Sequence, residues 1–169
     1  MRTRIPAILL AALLGAAPAA AGELVLGLGA DSIRGLFSDD RQDNLAASGL
    51  VEYRTGSFTA LGRVAFAGGV ATEFDTDGDL WGGGGPVAFL PLGDGPWRLA
   101  ASGMVGGYSR GSGNDLGTSF PIFRSQLELS RALDGDWRAG LAWSHKSNAG
   151  TGRINPGVET IYLFAIRTF

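Results

Sequence analysis

Apolar and polar side chains alternate along most of the chain from Glu23 onwards, in segments of about ten to fourteen residues. In the first segment Leu26 and Leu28 share one parity, whereas Glu23 and Asp31 share the other. Because successive side chains of a strand point to opposite faces, each segment is predicted to be a β-strand with one apolar and one polar face. We predict eight such strands, at residues 23–34, 46–55, 58–71, 79–91, 96–109, 120–132, 136–147 and 157–169.

The connections between these strands alternate in length. Three are tight turns rich in Gly and Asp, at 54–57, 92–95 and 133–136, and the others are longer and polar, at 35–45, 72–79, 109–119 and 148–156. Short turns at one end and long loops at the other are typical of bacterial outer-membrane barrels, in which the short turns face the periplasm. The sequence therefore predicts an all-β fold, an eight-stranded antiparallel transmembrane β-barrel in the outer membrane.

The charged face of the strands is predicted to line the barrel interior. A narrow eight-stranded barrel is filled by its own side chains, and inward charges must pair with one another, whereas the outer wall must be apolar to face lipid. The inward set is predicted to be Glu52, Arg54, Arg63, Arg98, Arg124 and Glu128. The four tryptophans, Trp81, Trp97, Trp137 and Trp143, are predicted to form two aromatic belts at the membrane interfaces.

Both chain ends carry export features. Arg2 and Arg4 precede an apolar stretch at 5–17 that is too short to span a bilayer, and the small residues 19–21 follow. We therefore predict a signal peptide at 1–21 and a mature barrel at 22–169. The last strand alternates and ends in Phe169, a pattern that resembles the signal by which the barrel-insertion machinery recognises outer-membrane proteins.

Composition narrows the chemistry that is available. The formal net charge of −2 and the lack of a Lys/Arg cluster argue against a nucleic-acid partner. The chain has no cysteine, which excludes a thiolate metal site, and its single histidine, His145, excludes a site with several histidine ligands. Any nucleophile must therefore be Ser, Thr, Lys or a carboxylate, and His145 is the natural base near neutral pH.

The last hairpin, residues 136–169, brings such groups together. His145 and Ser147 are two residues apart and project to the same side of the seventh strand, whereas Ser144 projects to the other side. If Trp143 faces Ile161, Glu159 lies directly opposite His145, with Cβ atoms about 4.5–5.5 Å apart. The same register pairs Trp137 with Arg167 at the periplasmic end. One register therefore satisfies both ends of the hairpin and assembles a Ser–His–Glu triad.

Each member of this triad has a distinct predicted role. Ser147 is the nucleophile, His145 takes and returns its proton, and Glu159 orients the imidazole. Backbone N–H groups around Asn148, Ala149 and Gly150 are predicted to hold the oxyanion of the intermediate. The triad shares its parity with the lipid-facing residues and lies at the outer end of its strand, in the leaflet that holds lipopolysaccharide. An ester of lipid A is therefore the predicted substrate.

The segment His145-x-Ser147-Asn148-Ala149-Gly150, followed by Asn155-x-Gly157-x-Glu159, resembles the active-site hairpin of the outer-membrane lipid A 3-O-deacylase (PagL) family. The resemblance implies hydrolysis of the ester-linked 3-hydroxyacyl chain at the 3 position of lipid A, without a cofactor, and homodimers in the membrane. It also implies a role for Asn155 near the oxyanion site. Lys146, between the histidine and the serine, departs from relatives that carry an aromatic residue there. We expect it to point inward or to the rim.

Other interpretations stay open from sequence alone. The chain could be a non-catalytic OmpX-like barrel that serves envelope stability or adhesion, or an esterase or acyltransferase that acts on another envelope lipid. The many inward charges fit poorly with the interior acyl pocket that an acyltransferase needs. The loop aspartates are either solvated turn residues or ligands of divalent ions that bridge lipid phosphates, a set made up of Asp39, Asp40, Asp43, Asp75, Asp77 and Asp79.

Overall fold

A computed structural model describes residues 22–31, 45–113 and 115–169, so the predicted signal peptide lies outside the described residues. Nine strands form one antiparallel sheet, and they are β1 (Glu23–Asp31), β2 (Ala46–Arg54), β3 (Thr59–Leu61), β4 (Val64–Asp75), β5 (Leu80–Pro91), β6 (Trp97–Ser109), β7 (Ile122–Ala132), β8 (Trp137–Ser147) and β9 (Val158–Thr168). Within the described residues no helix is long and apolar enough to cross a membrane.

The sheet closes on itself as an eight-stranded barrel. Neighbouring strands in sequence pair with each other except for β2 and β3, which both pair with β4, and β1 pairs with β9. β2 and β3 therefore occupy one position in the wall, because they pair with successive parts of the same neighbour. A closed barrel leaves no unpaired sheet edge, which is a requirement for backbone groups inside a bilayer.

The first tight turn, between β2 and β4, differs from the prediction. The tight turn was predicted at 54–57, but the chain reverses at Gly62, where φ is +60°, and β4 continues to Asp75. β3 lies within the strand that was predicted to run from 58 to 71, and it pairs with the start of β4. Gly62 adopts the left-handed conformation that a tight turn needs. Gly56, which lies in the predicted turn, does not have a positive φ.

The interior is a network of buried ion pairs, as predicted. Arg54 pairs with Glu52 at 2.7 Å, and Arg124 pairs with Glu52 at 3.1 Å and with Glu73 at 2.6 Å. Glu73 also accepts from the Lys146 ammonium at 2.5 Å. Because each charge has a partner of opposite sign, the narrow interior holds these groups without isolated buried charges. Lys146 is the member of the network on β8, where it points inward between His145 and Ser147.

Two residues of the predicted pattern lie elsewhere. Arg63 was predicted to point inward, but it follows Gly62 in the turn and its exposed side chain contacts Asp94 at 3.7 Å. Trp81 was predicted to join an aromatic belt, but it is 1% exposed and points into the barrel. Its ring fills space beside Gly83, since a Cβ on that glycine would lie 2.6 Å from Trp81 Cζ2. Of the four tryptophans, Trp97, Trp137 and Trp143 therefore stay on the outer wall, where the belts were predicted.

Candidate active site

The β8–β9 hairpin has the predicted register. Trp143 pairs with Ile161, and His145 pairs with Glu159. At the periplasmic end Trp137 pairs with Arg167, whose guanidinium lies 5.4 Å from the centre of the indole ring. The inner and outer parities of β8 are also as predicted, because Ser144 and Lys146 are buried inside the barrel while the odd-numbered residues face outward.

His145 and Glu159 form a close pair on the outer wall. The Nδ1 atom of His145 lies 3.7 Å from Oε1 of Glu159, slightly beyond hydrogen-bond distance. The histidine side chain is 24% exposed, whereas the glutamate side chain is 4% exposed although its strand position faces outward. Nearby outward side chains therefore cover the carboxylate and leave part of the imidazole open.

Trp143 contacts both members of this pair. Its indole nitrogen donates a hydrogen bond of 3.0 Å to Oε2 of Glu159, and its ring stacks near that of His145, with centroids 6.4 Å apart at an interplanar angle of 27°. The sequence analysis assigned Trp143 to the membrane interface only. The signal that could have identified it is positional, since it has the same parity as His145 and is a diagonal neighbour of Glu159 across the strand pair.

Ser147 is the last residue of β8 and lies on the same side as His145, partly exposed. Within the described part of the chain no hydrogen bond joins its hydroxyl to the imidazole. A serine and its base are often loosely aligned before substrate binds, so the lack of this hydrogen bond does not exclude Ser147 as a nucleophile. Ser144 is 0% exposed and its hydroxyl points away from this wall, which leaves Ser147 as the hydroxyl of β8 beside the imidazole.

The turn after β8 is held by two asparagine side chains. The Asn148 N–H donates to Oδ1 of Asn155 at 3.1 Å, and the Gly150 N–H donates to Oδ1 of Asn148 at 2.8 Å. Ala149 and Gly150 both have positive φ, at 50° and 81°. Of the three N–H groups predicted to face an oxyanion, two are therefore already bonded within the turn. The Ala149 N–H has no acceptor among the described residues.

The Asn148 side chain also ties this turn to a second loop. It is fully buried, and its amide nitrogen donates to the carbonyl oxygens of Leu116 at 2.7 Å and Ile154 at 2.5 Å. All the polar atoms of the side chain are thus used in holding backbone. We infer that Asn148 shapes the turn through its side chain.

Gly157 packs directly against the imidazole. A Cβ at this position would overlap Cε1 of His145 and would lie 3.2 Å from Nδ1. Only glycine therefore allows the ring to occupy its present place without a shift in the chain or the side chain. The sequence analysis quoted Gly157 within the motif but gave it no role.

An apolar concavity of about 970 Å³ lies on the outer wall below this site. Leu141 and Leu163, which line it, lie two residues further toward the periplasm than Trp143 and Ile161. The concavity extends to Leu133 and Trp97 near the periplasmic turns. The polar groups of the site therefore lie at the upper end of a wall that is lined mostly by apolar side chains, with Arg131 as the one charged residue of the lining.

The described loop aspartates serve as acceptors within turns. Asp75 accepts from the backbone N–H groups of Asp77 and Asp79, and Asp79 accepts from Gly111. In the part of the chain that the structure describes, no three His, Cys, Asp or Glu residues are grouped so as to hold a metal ion. The aspartates at 39, 40 and 43 lie outside the described residues.

Solved structures of similar shape are membrane barrels. The crystal structure of the outer membrane enzyme PagL superposes with a TM-score of 0.62 at 17% identity, covering 86% of this chain and 98% of that one. A de novo designed transmembrane β-barrel gives a TM-score of 0.56 at 4% identity, covering 89% and 96%. The Yersinia pestis outer membrane protein Ail gives 0.50 at 13% identity, covering 88% and 99%. These likenesses establish the fold.

Sequence comparison identifies the family. No curated protein matches the chain at a significant level. The family model described as lipid A 3-O-deacylase (PagL) matches residues 46–165, well over half of the chain. The matched region includes all of β8, the turn that follows it and β9 as far as residue 165. This outer-membrane β-barrel therefore belongs to the lipid A 3-O-deacylase (PagL) family.

Proposed function

We propose that this chain hydrolyses the ester-linked 3-hydroxyacyl chain at the 3 position of lipid A, with Ser147 as nucleophile, His145 as base and Glu159 as the group that orients it. The observation that carries the proposal is the outward-facing pair of His145 and Glu159, 3.7 Å apart, with Ser147 two residues further along the same face. The apolar wall below these groups supports a substrate with long acyl chains.

The reaction has two halves. The Ser147 Oγ attacks the acyl carbonyl carbon while its proton passes to His145 Nε2, and the resulting oxyanion is held by the open N–H of Ala149. When the intermediate collapses, the ester C–O bond breaks and His145 protonates the departing sugar oxygen. Water then attacks the acyl–serine, with His145 as base, to release the 3-hydroxy fatty acid and restore Ser147. Glu159 stabilises the imidazolium that forms in each half.

Product analysis tests this assignment against other envelope lipids. Purified protein in detergent is incubated separately with lipid A and with phospholipid, and the products are identified by mass spectrometry. We expect free 3-hydroxy fatty acid and 3-O-deacylated lipid A, with phospholipid unchanged. Fatty acid released from phospholipid alone would identify a different esterase, and no product from either lipid would leave a non-catalytic barrel.

Glu159→Gln is expected to lower kcat for deacylation by about 10⁴-fold, the size of effect found when a triad carboxylate becomes an amide. The amide keeps the size of the side chain but loses the charge that stabilises the imidazolium. Initial rates on lipid A in detergent give the value. Glu23→Gln is the matched control, since Glu23 bonds to Arg98 at the far end of the barrel. Equal rates for Glu159→Gln and wild type would remove Glu159 from the mechanism.

Gly157→Ala is expected to reduce kcat by about 10²-fold, a typical result of misplacing a reacting group by about 1 Å. The added methyl group must displace the His145 ring, because no free space separates the two residues. Gly103→Ala provides a matched control on the outer wall, since a Cβ there meets no atom of the described residues within 4 Å. Both variants are assayed on lipid A after the folded fraction is measured by heat-dependent electrophoretic mobility. Full activity of Gly157→Ala would show that the imidazole position does not limit the rate.

A further inference from the structure

The Glu159 carboxylate occupies an unusual environment for a charged group. Its strand position faces the lipid side of the wall, yet it is 4% exposed. Withdrawing an ionised carboxylate from water is costly unless hydrogen bonds replace those that water supplied. The environment must therefore contain at least one donor aimed at this group.

Trp143 is that donor. Its Nε1 lies 3.0 Å from Oε2 of Glu159, and within the described residues this is the hydrogen bond that the carboxylate receives. The other oxygen, Oε1, receives no hydrogen bond from the described part of the chain and lies 3.7 Å from Nδ1 of His145. The two oxygens thus have different neighbours, with the indole on one and the imidazole on the other.

An indole is well suited to this task. Its N–H group donates one hydrogen bond and cannot accept a proton, so it satisfies one oxygen without competing with the histidine for proton transfer. The large apolar ring tolerates contact with lipid, whereas a lysine or arginine here would place a second charge in the wall. The Trp143 ring also stacks near the imidazole of His145, so the indole lies beside both members of the pair.

We propose that Trp143 is a positioning residue of the hydrolytic site, whose indole N–H fixes the Glu159 carboxylate so that Oε1 faces Nδ1 of His145. This inference rests on the proposed triad and extends it by one residue. The hydrogen bond acts through Glu159 on the imidazolium, which exists only as the reaction proceeds. Its loss therefore lowers kcat and leaves KM nearly unchanged.

Trp143→Phe tests the inference, because it removes the N–H group and keeps an aromatic ring. Trp137→Phe is the matched control: Trp137 lies at the other end of β8, on the same outer face, and stacks against Arg167. Full-length folded protein is assayed on lipid A in detergent. We expect kcat to fall about 10- to 100-fold for Trp143→Phe, the loss that a hydrogen bond to a charged group produces, with KM within about twofold. Trp137→Phe should retain wild-type kinetics.

Three results would overturn the proposal. They are an unchanged kcat and KM in Trp143→Phe, an unchanged kcat with a raised KM, which indicates contact with substrate, and an equal loss of kcat in both variants, which indicates a general interface role. If Trp143→Phe does not fold, 3-benzothienylalanine at position 143 keeps the shape of tryptophan without the N–H group and must give the same fall in kcat. Failure of the underlying function is distinguishable, since the wild-type protein itself would then release no fatty acid.

Discussion

Ser147→Ala is expected to lower kcat for lipid A deacylation by a factor on the order of 10⁶, which will bring the rate below detection in most assays. Alanine removes the oxygen atom that forms the acyl–enzyme bond in the proposed mechanism. The fold should not change, because Ser147 ends its strand and makes no hydrogen bond through its hydroxyl within the described residues. Initial rates in detergent, normalised to folded protein, give the ratio.

Ser144→Ala is the matched control for this experiment. Ser144 is adjacent to His145 in sequence, but it is buried inside the barrel, and its hydroxyl has no hydrogen-bond partner among the residues that the structure describes. The same chemical change one residue from the histidine should therefore leave the rate within about twofold of wild type, as for other substitutions that remove no interaction. If Ser144→Ala is inactive and Ser147→Ala is active, the proposed nucleophile is wrong and so is the outer-wall location of the chemistry.

His145→Ala is expected to reduce kcat by a similar factor, on the order of 10⁶, because an unassisted serine hydroxyl is a weak nucleophile. The serine and the histidine act as one unit, so Ser147→Ala combined with His145→Ala should be no slower than either single variant. Kinetics of the three proteins on lipid A test this non-additivity. If the double variant is slower than each single variant by the product of their effects, the two residues act independently and the triad is refuted.

The position of the candidate site could be predicted from sequence because a strand has a strict period of two. Once Trp143 is set opposite Ile161, the placement of His145 opposite Glu159 follows, as does the inward direction of Ser144 and Lys146. The Trp137–Arg167 contact at the other end fixed the same register. In this hairpin the contacts at both ends therefore predict the same pairing register.

Other features depend on contacts that parity does not determine. Trp81 fits an aromatic belt by composition, but its direction depends on the glycines that leave room for it inside the barrel. The first turn lies at Gly62 because that residue takes a positive φ, and the sequence offers Gly56 as an equally plausible position. The position of this turn and the direction of Trp81 therefore depend on contacts between strands that are distant in sequence.

The details of the oxyanion region were also beyond the sequence. Three consecutive N–H groups after Ser147 appeared equivalent, but the side-chain oxygens of Asn155 and Asn148 accept from two of them. Asparagine oxygens often bond to nearby backbone in turns, and which N–H they reach depends on the loop conformation. Ala149 is therefore the one of the three whose N–H has no acceptor among the described residues, and it is the proposed oxyanion donor.

The most direct measurement of the central claim is the mass spectrum of lipid A in outer membranes that contain either the wild-type protein or Ser147→Ala at equal folded amounts. If Ser147, His145 and Glu159 act together on the lipid-facing wall, membranes with the wild-type protein will contain lipid A that lacks one 3-hydroxyacyl chain. Membranes with the variant will contain intact lipid A. Identical spectra from the two membranes would contradict it.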